Sequence, residues 1–558
     1  MNNTSEIHYN VDDNEVHSTH LNDAFERRDN LQVNRKLSSV YEPNNDTRAN
    51  FENDTNIPQK LIISNTIIVP KWISIARLIT AIIYVVLLLV YLIIMILAIV
   101  LYPRCEKAPI SEWWRNAVII KVNLPDNENN VKFSNITNNL DSYKNDLNIQ
   151  ALLLSSIMPF NEKRSIPNEM QSVDATLGNE IDLKKLLQYA HDKDIRILID
   201  FPLNHLSVKS PIFQSSIMNE TGMYGQYFVW NNQMNTSNWL TMNMEKAWTY
   251  NRERNSYYLH QFSNDSADLN YRNNRVLKYL IDSFHYWNDQ NIDGFNIIGL
   301  SYAYEDYEYS NEEVFHNKTR HLEEDFLLIG KIRSLNTTKL YLLDTIDTKN
   351  TDDNILNRYY GNEIVKGFNV ISANKYVLSA DNSDKNIIQL FDDYYRNSSL
   401  HDKGLVWKTL LTNSSLNEAW FMATLFHNGL ILIDDTQLST LTDNIRTLIT
   451  IVRKESVFQV GNLRQEIIDN GTILTIERYR RGSKHHMIIV NFSSSQRQFK
   501  VILKEGVTNA VEIMVSSKTS EKYVIGDLVA MNEEINLNAY EYLVIRWSAT
   551  IEGLGVIF

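Results

Sequence analysis

Two kinds of side chain in this sequence could do chemistry: a single thiol, and carboxylates that end apolar runs. Cys105 is the only cysteine in 558 residues. With no partner in its own chain, it is either free or bonded to another chain. On the cytosolic side of a membrane it could instead carry a palmitoyl group. Asp200 ends the run IRILIDF and is followed by Asn204-His205. Those three could hold a calcium ion or a hydroxylated ligand, or satisfy hydrogen bonds at a strand end; the second reading is adopted. Asp344 and Asp347 end KLYLLDTID. The tyrosine-rich stretch YAYEDYEY, residues 302–309, adds Glu305, Asp306 and Glu308, and reads as a solvated or partner-facing loop rather than a ring-stacking platform.

The thiol gains meaning from its neighbour. Residues Leu78 to Tyr102 carry no charged side chain. As a helix they run roughly 37 Å, enough to cross a hydrocarbon core of about 30 Å. The 77 residues before this stretch exclude a cleavable signal peptide and make it an internal anchor. Residues 1–72 are polar and Asn/Asp-rich and read as a disordered cytosolic tail, followed by a transmembrane helix at 73–102 and a neck at 103–116. Basic residues mildly favour the N-terminus inside. The remainder then faces outward, as expected of a type II plasma-membrane protein with an extracellular C-terminal domain. It holds ten Asn-x-Ser/Thr acceptors, at Asn135, Asn219, Asn235, Asn264, Asn317, Asn336, Asn397, Asn413, Asn470 and Asn491. A net charge of −13 argues against a nucleic-acid surface. The span contains no ionisable residue, and one helix cannot form a pore, so any transport belongs to a partner.

Beyond the neck, short apolar runs alternate with helix-period segments. The runs AVIIKV, ALLLSS, IRILIDF, DGFNII, KLYLLD, FNVIS, LVWKTL and GLILID have the pattern of strands buried on both faces. EIDLKKLLQYAHDK places Ile181, Leu183, Leu186, Leu187 and Ala190 near one helix face, and NRVLKYLIDSFHYWNDQ does the same for Val276, Tyr279, Leu280, Phe284 and Trp287. The fold class is therefore α/β, a (β/α)8 barrel over 117–456 with a small inserted subdomain at about 206–272. Residues 457–558 change character. TILTIERYRR, HHMIIVNFS, QFKVIL, NAVEIMVS and EYLVIRW predict a separate antiparallel β-sandwich.

The stretch VDATLGNEIDLKKLLQYAHDKDIRILIDFPLNH resembles the alpha-amylase family through its third barrel strand. The matching positions are Gly178 with Asp182, Ala190-His191, and Asp200 with Asn204-His205, while Leu183 stands where the family has Phe. SNWL and YYLHQFSNDSADLNYRNNRVLKYL resemble the segment before the fourth strand of alpha-glucosidases. That resemblance implies a retaining glycosidase scaffold, whose chemistry needs a carboxylate nucleophile and a carboxylic acid about 5 Å apart. The family nucleophile ends Gly-Phe-Arg-x-Asp; this chain reads Gly294-Phe295-Asn296-Ile297-Ile298. Ile298 thus replaces the nucleophile and Asn296 the Arg that orients it. The acid/base Glu is missing from KLYLLDTID. In LLIGKIRSL, read as a helix, Lys331 would stand in its place. A third acid, after the seventh strand, is replaced by Ser415 in Asn413-Ser414-Ser415.

The neck Tyr102-Pro103-Arg104-Cys105, followed by Trp113-Trp114, resembles the heavy subunits of heteromeric amino-acid transporters. That resemblance implies a non-catalytic subunit, disulfide-linked through Cys105 to a polytopic light subunit that carries amino acids. The expected partners are that light subunit and the lipid bilayer. No cofactor or metal is implied, and calcium near Asn204 stays open. Two other readings remain: a membrane-anchored alpha-glucosidase with a rearranged site, and an adhesion or receptor protein.

Overall fold

The computed structural model describes residues 70–101, 112–124, 132–155, 157–161, 165–233, 237–313, 318–345, 352–362, 367–373, 384–408, 414–503, 510–517, 522–530 and 534–548. Cys105, Asp347, Asn235, Asn317 and Asn413 lie outside the described residues. The chain divides into two units, Met1–Tyr102 and Pro103–Phe558.

In the first unit, Lys71–Leu101 forms one helix of 31 residues. Its apolar side chains are exposed on every face; Leu78 and Leu87 are both 62% exposed. A helix apolar all round and unburied by protein needs an apolar solvent, as a single-pass membrane anchor has. Within it, the Thr80 hydroxyl is satisfied locally, donating to the carbonyls of Ala76 and Arg77, each at 3.0 Å.

In the second unit, eight parallel strands close a barrel: β1 (Val118–Val122), β2 (Ala151–Leu154), β3 (Arg196–Pro202), β4 (Gly294–Ile298), β5 (Leu340–Thr345), β6 (Val370–Ala373), β7 (Leu405–Lys408) and β8 (Gly429–Asp434). β1 closes against β8, and every neighbouring pair is parallel. All eight apolar runs read from the sequence become these strands. The period-2 rule explains why the runs are continuous. Ala117, Ile119, Leu153, Leu198, Leu342 and Leu432 fill the interior. Their alternates, such as Ile120, Leu152, Ile199 and Ile297, pack outward under the helices.

The helices follow from their caps and stripes. Glu180–Asp192 starts at Asn179, whose side chain accepts from the amides of Ile181 and Asp182 while Asp182 reaches back to the Asn179 amide. Leu183, Leu186, Leu187 and Ala190 are buried there. Ile181, expected on that face, lies in the first turn and is 65% exposed. Asn274–Asp289 buries Val276, Leu280, Phe284 and Trp287. Lys331 lies in the helix Glu323–Leu335, as its spacing predicts, and not on a strand.

Between β3 and β4, His205–Ser207 pairs with Ser266–Asp268, and a three-stranded sheet (Trp230–Asn231, Ser256–Leu259, Trp248–Asn251) packs around Trp239 and Trp248. After the barrel come β9 (Asn462–Ile468), β10 (Ile473–Tyr479), β11 (Lys484–Asn491), β12 (Arg497–Phe499), β13 (Ala510–Ser516), β14 (Leu528–Ala530), β15 (Ile535–Leu537) and β16 (Tyr542–Ser548). Six of them form an antiparallel sheet in the order β9-β10-β11-β16-β13-β14, and β12 pairs with β15. One face of the large sheet (Ile473, Met487, Ile489, Ile513) packs on Phe499, Ile535 and Leu537. The other face (Leu474, Ile476, Ile488, Val544) joins the barrel core. Tyr542 donates to Glu418 at 2.6 Å and accepts from Asn444 at 2.9 Å, fixing this face to the barrel helices.

Candidate functional site at the barrel mouth

Strand parity decides which side chains meet at the C-terminal mouth. The interior residues lie at alternate positions, so the next inward position toward each strand end is Lys121 on β1, Asp200 on β3, Asn296 and then Ile298 on β4, Asp344 on β5, Ser372 on β6, Lys408 on β7 and Asp434 on β8. The register sets Asn296 beside Asp200, and Ile298 between Pro202 and Asp344. These are the strand ends where (β/α)8 enzymes place catalytic groups.

The carboxylates there are already engaged. Lys121 pairs with Asp200 at 3.1 Å, and Asn296 Nδ2 donates to the other Asp200 oxygen at 2.7 Å. Lys408 Nζ contacts both oxygens of Asp344 at 2.9 Å. Asp434 accepts from Asn123 at 2.6 Å and from the Thr436 hydroxyl at 2.8 Å. Burial opposes the charge on Lys121. The field and hydrogen bond of Asp200, with Asp344 and Asp434 behind it, outweigh burial and hold its pKa above the ordinary lysine value. Ile298 presents a half-buried aliphatic side chain among these groups, and its carbonyl accepts from the Leu203 amide at 3.0 Å.

Asn204 and His205 are brought close to the strand end but are sealed beneath the insertion. They are 1% and 5% exposed. The His205 ring lies 4.7 Å from that of Phe262, and burial lowers its pKa to about 4, so the imidazole is neutral. Asn204 faces Asp268, whose carboxyl burial pushes well above its usual range against the Gln261 amide and Asn204 side chain. Gly299, at φ 82°, has no Cβ because one would meet Asn204 Cβ at 3.0 Å. Among the described residues, no group of three or more His, Cys, Asp or Glu side chains is placed to hold a metal ion.

YAYEDYEY is not the solvated loop its polarity suggests. Tyr302, Tyr304 and Glu305 are buried, and Tyr309 packs edge-on against Trp239 and Trp248; Tyr307 and Glu308 are exposed. Burial raises the Glu305 pKa to about 7, against the opposing Arg272 charge, whose Nε is 3.9 Å away. Ser415 is exposed in the first turn of the helix Ser415–Thr424, whose cap is Ser414. Of the described acceptors, Asn135, Asn219, Asn264 and Asn470 are exposed, and Asn336 and Asn397 are half-buried. Asn491 is a correction: it is buried, and its Nδ2 donates to the carbonyls of Ser495, Leu537 and Asn538 at 2.8, 3.1 and 2.8 Å. A glycan on that nitrogen would displace all three acceptors from a closed interior.

Lys121 and Lys408 escaped the sequence reading. The available signal was a lysine at an inward parity inside two otherwise apolar runs, which demands a buried counter-charge.

Residues 126–354 match the alpha-amylase family, described as "Alpha amylase, catalytic domain". The rat amino acid transporter heavy chain SLC3A1 is 28% identical over 228 residues, which cover 38% of this chain and 32% of that protein. The Culex pipiens alpha-glucosidase is 32% identical over 151 residues, covering 26% of each. The aligned part thus spans about a third or less of either relative. The crystal structure of Bacillus licheniformis trehalose-6-phosphate hydrolase superposes with a TM-score of 0.65 at 14% identity, covering 78% of this chain and all of that one, a likeness of fold. The second unit therefore carries an alpha-amylase-type barrel, related in sequence both to amino-acid transporter heavy chains and to alpha-glucosidases.

Proposed function

We propose that this protein is a non-catalytic heavy subunit that binds a polytopic amino-acid transporter light subunit through a disulfide at Cys105, stabilises it and brings it to the plasma membrane. The observation that carries this reading is the barrel mouth. The position that the Gly-Phe-Arg-x-Asp motif gives to the nucleophile holds Ile298, which cannot form a glycosyl ester. Of the inward carboxylates there, Asp200 and Asp344 have lysine ammonium groups against them at 3.1 and 2.9 Å, and Asp434 is held by Asn123 and Thr436. Retaining hydrolysis needs one carboxylate free to attack and one carboxyl free to donate a proton. Similarity to the rat heavy chain and the single apolar anchor helix support the same reading.

The test is a non-reducing gel of the full-length chain from membranes. A band larger than the 65.0 kDa chain that collapses on reduction, and is absent in Cys105→Ser, is expected. An unshifted band without reductant would overturn the proposed linkage. Similarity to the Culex glucosidase favours a second reading, a membrane-anchored alpha-glucosidase. Release of glucose from maltose by the purified full chain would establish that reading instead.

A further inference from the structure

The end of the barrel away from the mouth carries a cleft of about 210 Å³ whose lining is cationic. Arg115 reaches it from the turn before β1, Arg333 from the helix before β5, and Lys403 from the end of the helix Ser398–Lys403 before β7. Glu112 is the acidic residue on its wall, so the described lining carries two net positive charges. Glu112 attracts the Arg333 guanidinium, one acid among the three cations. Arg333 is 7% exposed, and its Nε is buried without a hydrogen-bond partner. Its Nη1 donates to the Lys339 carbonyl at 3.1 Å, and its guanidinium stacks 4.8 Å from the Tyr341 ring. Lys403 lies over the Tyr360 ring at 4.9 Å. Asn369 gives its Oδ1 to the Tyr341 amide at 2.9 Å, which leaves Nδ2 as a donor.

Guanidinium and ammonium groups are costly to bury without a counter-charge. Burial lowers the pKa of both Arg333 and Lys403, and Arg115 is close enough to Arg478 for their charges to repel. An occupant that reverses these penalties must be anionic, small enough for the cleft, and rich in acceptors. Two net positive charges match a dianion.

We propose that this cleft is a binding site for a phosphate-class oxyanion, held by Arg115, Arg333 and Lys403. The proposal is independent of the transporter reading, since it uses neither the mouth nor Cys105. Phosphate could come from solution or from a lipid headgroup, and the experiment separates the two. The full chain in phosphatidylcholine nanodiscs is titrated calorimetrically with inorganic phosphate. Saturable binding is expected, and the rim variants Lys403→Gln and Arg115→Gln should each weaken it about tenfold, as removal of one charge-assisted contact does. Arg333→Met should abolish binding, but the rim variants carry the test if that buried substitution unfolds the protein. In discs containing phosphatidic acid, an unchanged phosphate affinity assigns a soluble ligand. An affinity lost there, and lost less in the variants, assigns a headgroup. Absence of saturable phosphate binding in phosphatidylcholine discs, or binding that both rim variants leave unchanged, overturns the proposal.

Discussion

Removing Asp200 should expose how strongly the barrel mouth depends on its internal pairs. Asp200→Ala leaves the Lys121 ammonium without its nearest counter-charge and the Asn296 amide without its acceptor. Breaking a fully buried pair costs about 3–5 kcal/mol. The Lys121 side chain is 24% exposed and Asp200 8%, and Asp344 and Asp434 still attract the lysine. We therefore expect a loss of about 2–3 kcal/mol, below the fully buried case. Lys121→Met should lose a similar amount, because Asp200 keeps only Asn296. The double variant Lys121→Met/Asp200→Leu removes both charges and should lose less than about 1 kcal/mol, giving a coupling of at least about 3 kcal/mol. At about 2.1 cal/mol/K per residue over roughly 340 barrel residues, each single loss lowers Tm by about 3–4 °C. The assay is thermal unfolding of the full chain in detergent, followed by tryptophan fluorescence. The raised Lys121 pKa makes the contribution complete below the unfolded lysine value of about 10.4 and lost only as pH rises through the folded value. Scans at pH 7 and 9 should therefore agree. A single-variant shift under about 1 °C, or a double variant that simply sums the singles, refutes the reasoning.

Three further outcomes are expected. His205 is neutral with a pKa near 4 against about 6.5 unfolded, so the unfolded state binds the extra proton in that window; stability should fall by up to about 3 kcal/mol between pH 6.5 and 4, and His205→Gln should flatten part of that slope in pH-dependent unfolding. Glu305 has the opposite sign, its folded pKa near 7 lying above the unfolded value, so stability drains as pH rises from about 4.5 to 7; Glu305→Gln should raise Tm at pH 8 and leave it unchanged at pH 4. Asn491→Gln should cost about 2–4 kcal/mol by unmaking its buried bonds while leaving gel mobility unaltered after expression in a glycosylating host, whereas loss of a mobility step in that variant would contradict the burial of this acceptor.

The barrel was legible because its strands are buried on both faces, so apolarity alone marks them, as in GLILID and IRILIDF. The strand β9 was not, because the alternation of NLRQEII is broken by Gln465, a polar side chain on the Leu463 and Ile467 face and the strand's one buried position. Strands β14 and β15 are three residues each, too short to show a period. At the mouth, Asp200, Asn296, Ile298 and Asp344 could be placed from motif order, but their lysine partners lie 79 residues before Asp200 and 64 after Asp344, and no local pattern links such distant positions. YAYEDYEY was misread because Tyr302, Tyr304 and Glu305 meet Phe262, Tyr271 and Arg272 of the insertion, a tertiary fact absent from its own composition.

A working hydrolase must keep charged groups at its entrance unneutralised and ready, and it tolerates the resulting strain for the sake of turnover. Here each lysine of the rim has been tied to an acid across the strands. A scaffold relieved of that tension has no reason to breathe around a guest molecule. On the proposed non-catalytic reading, its top loops are then free to diverge toward shapes that suit a neighbour.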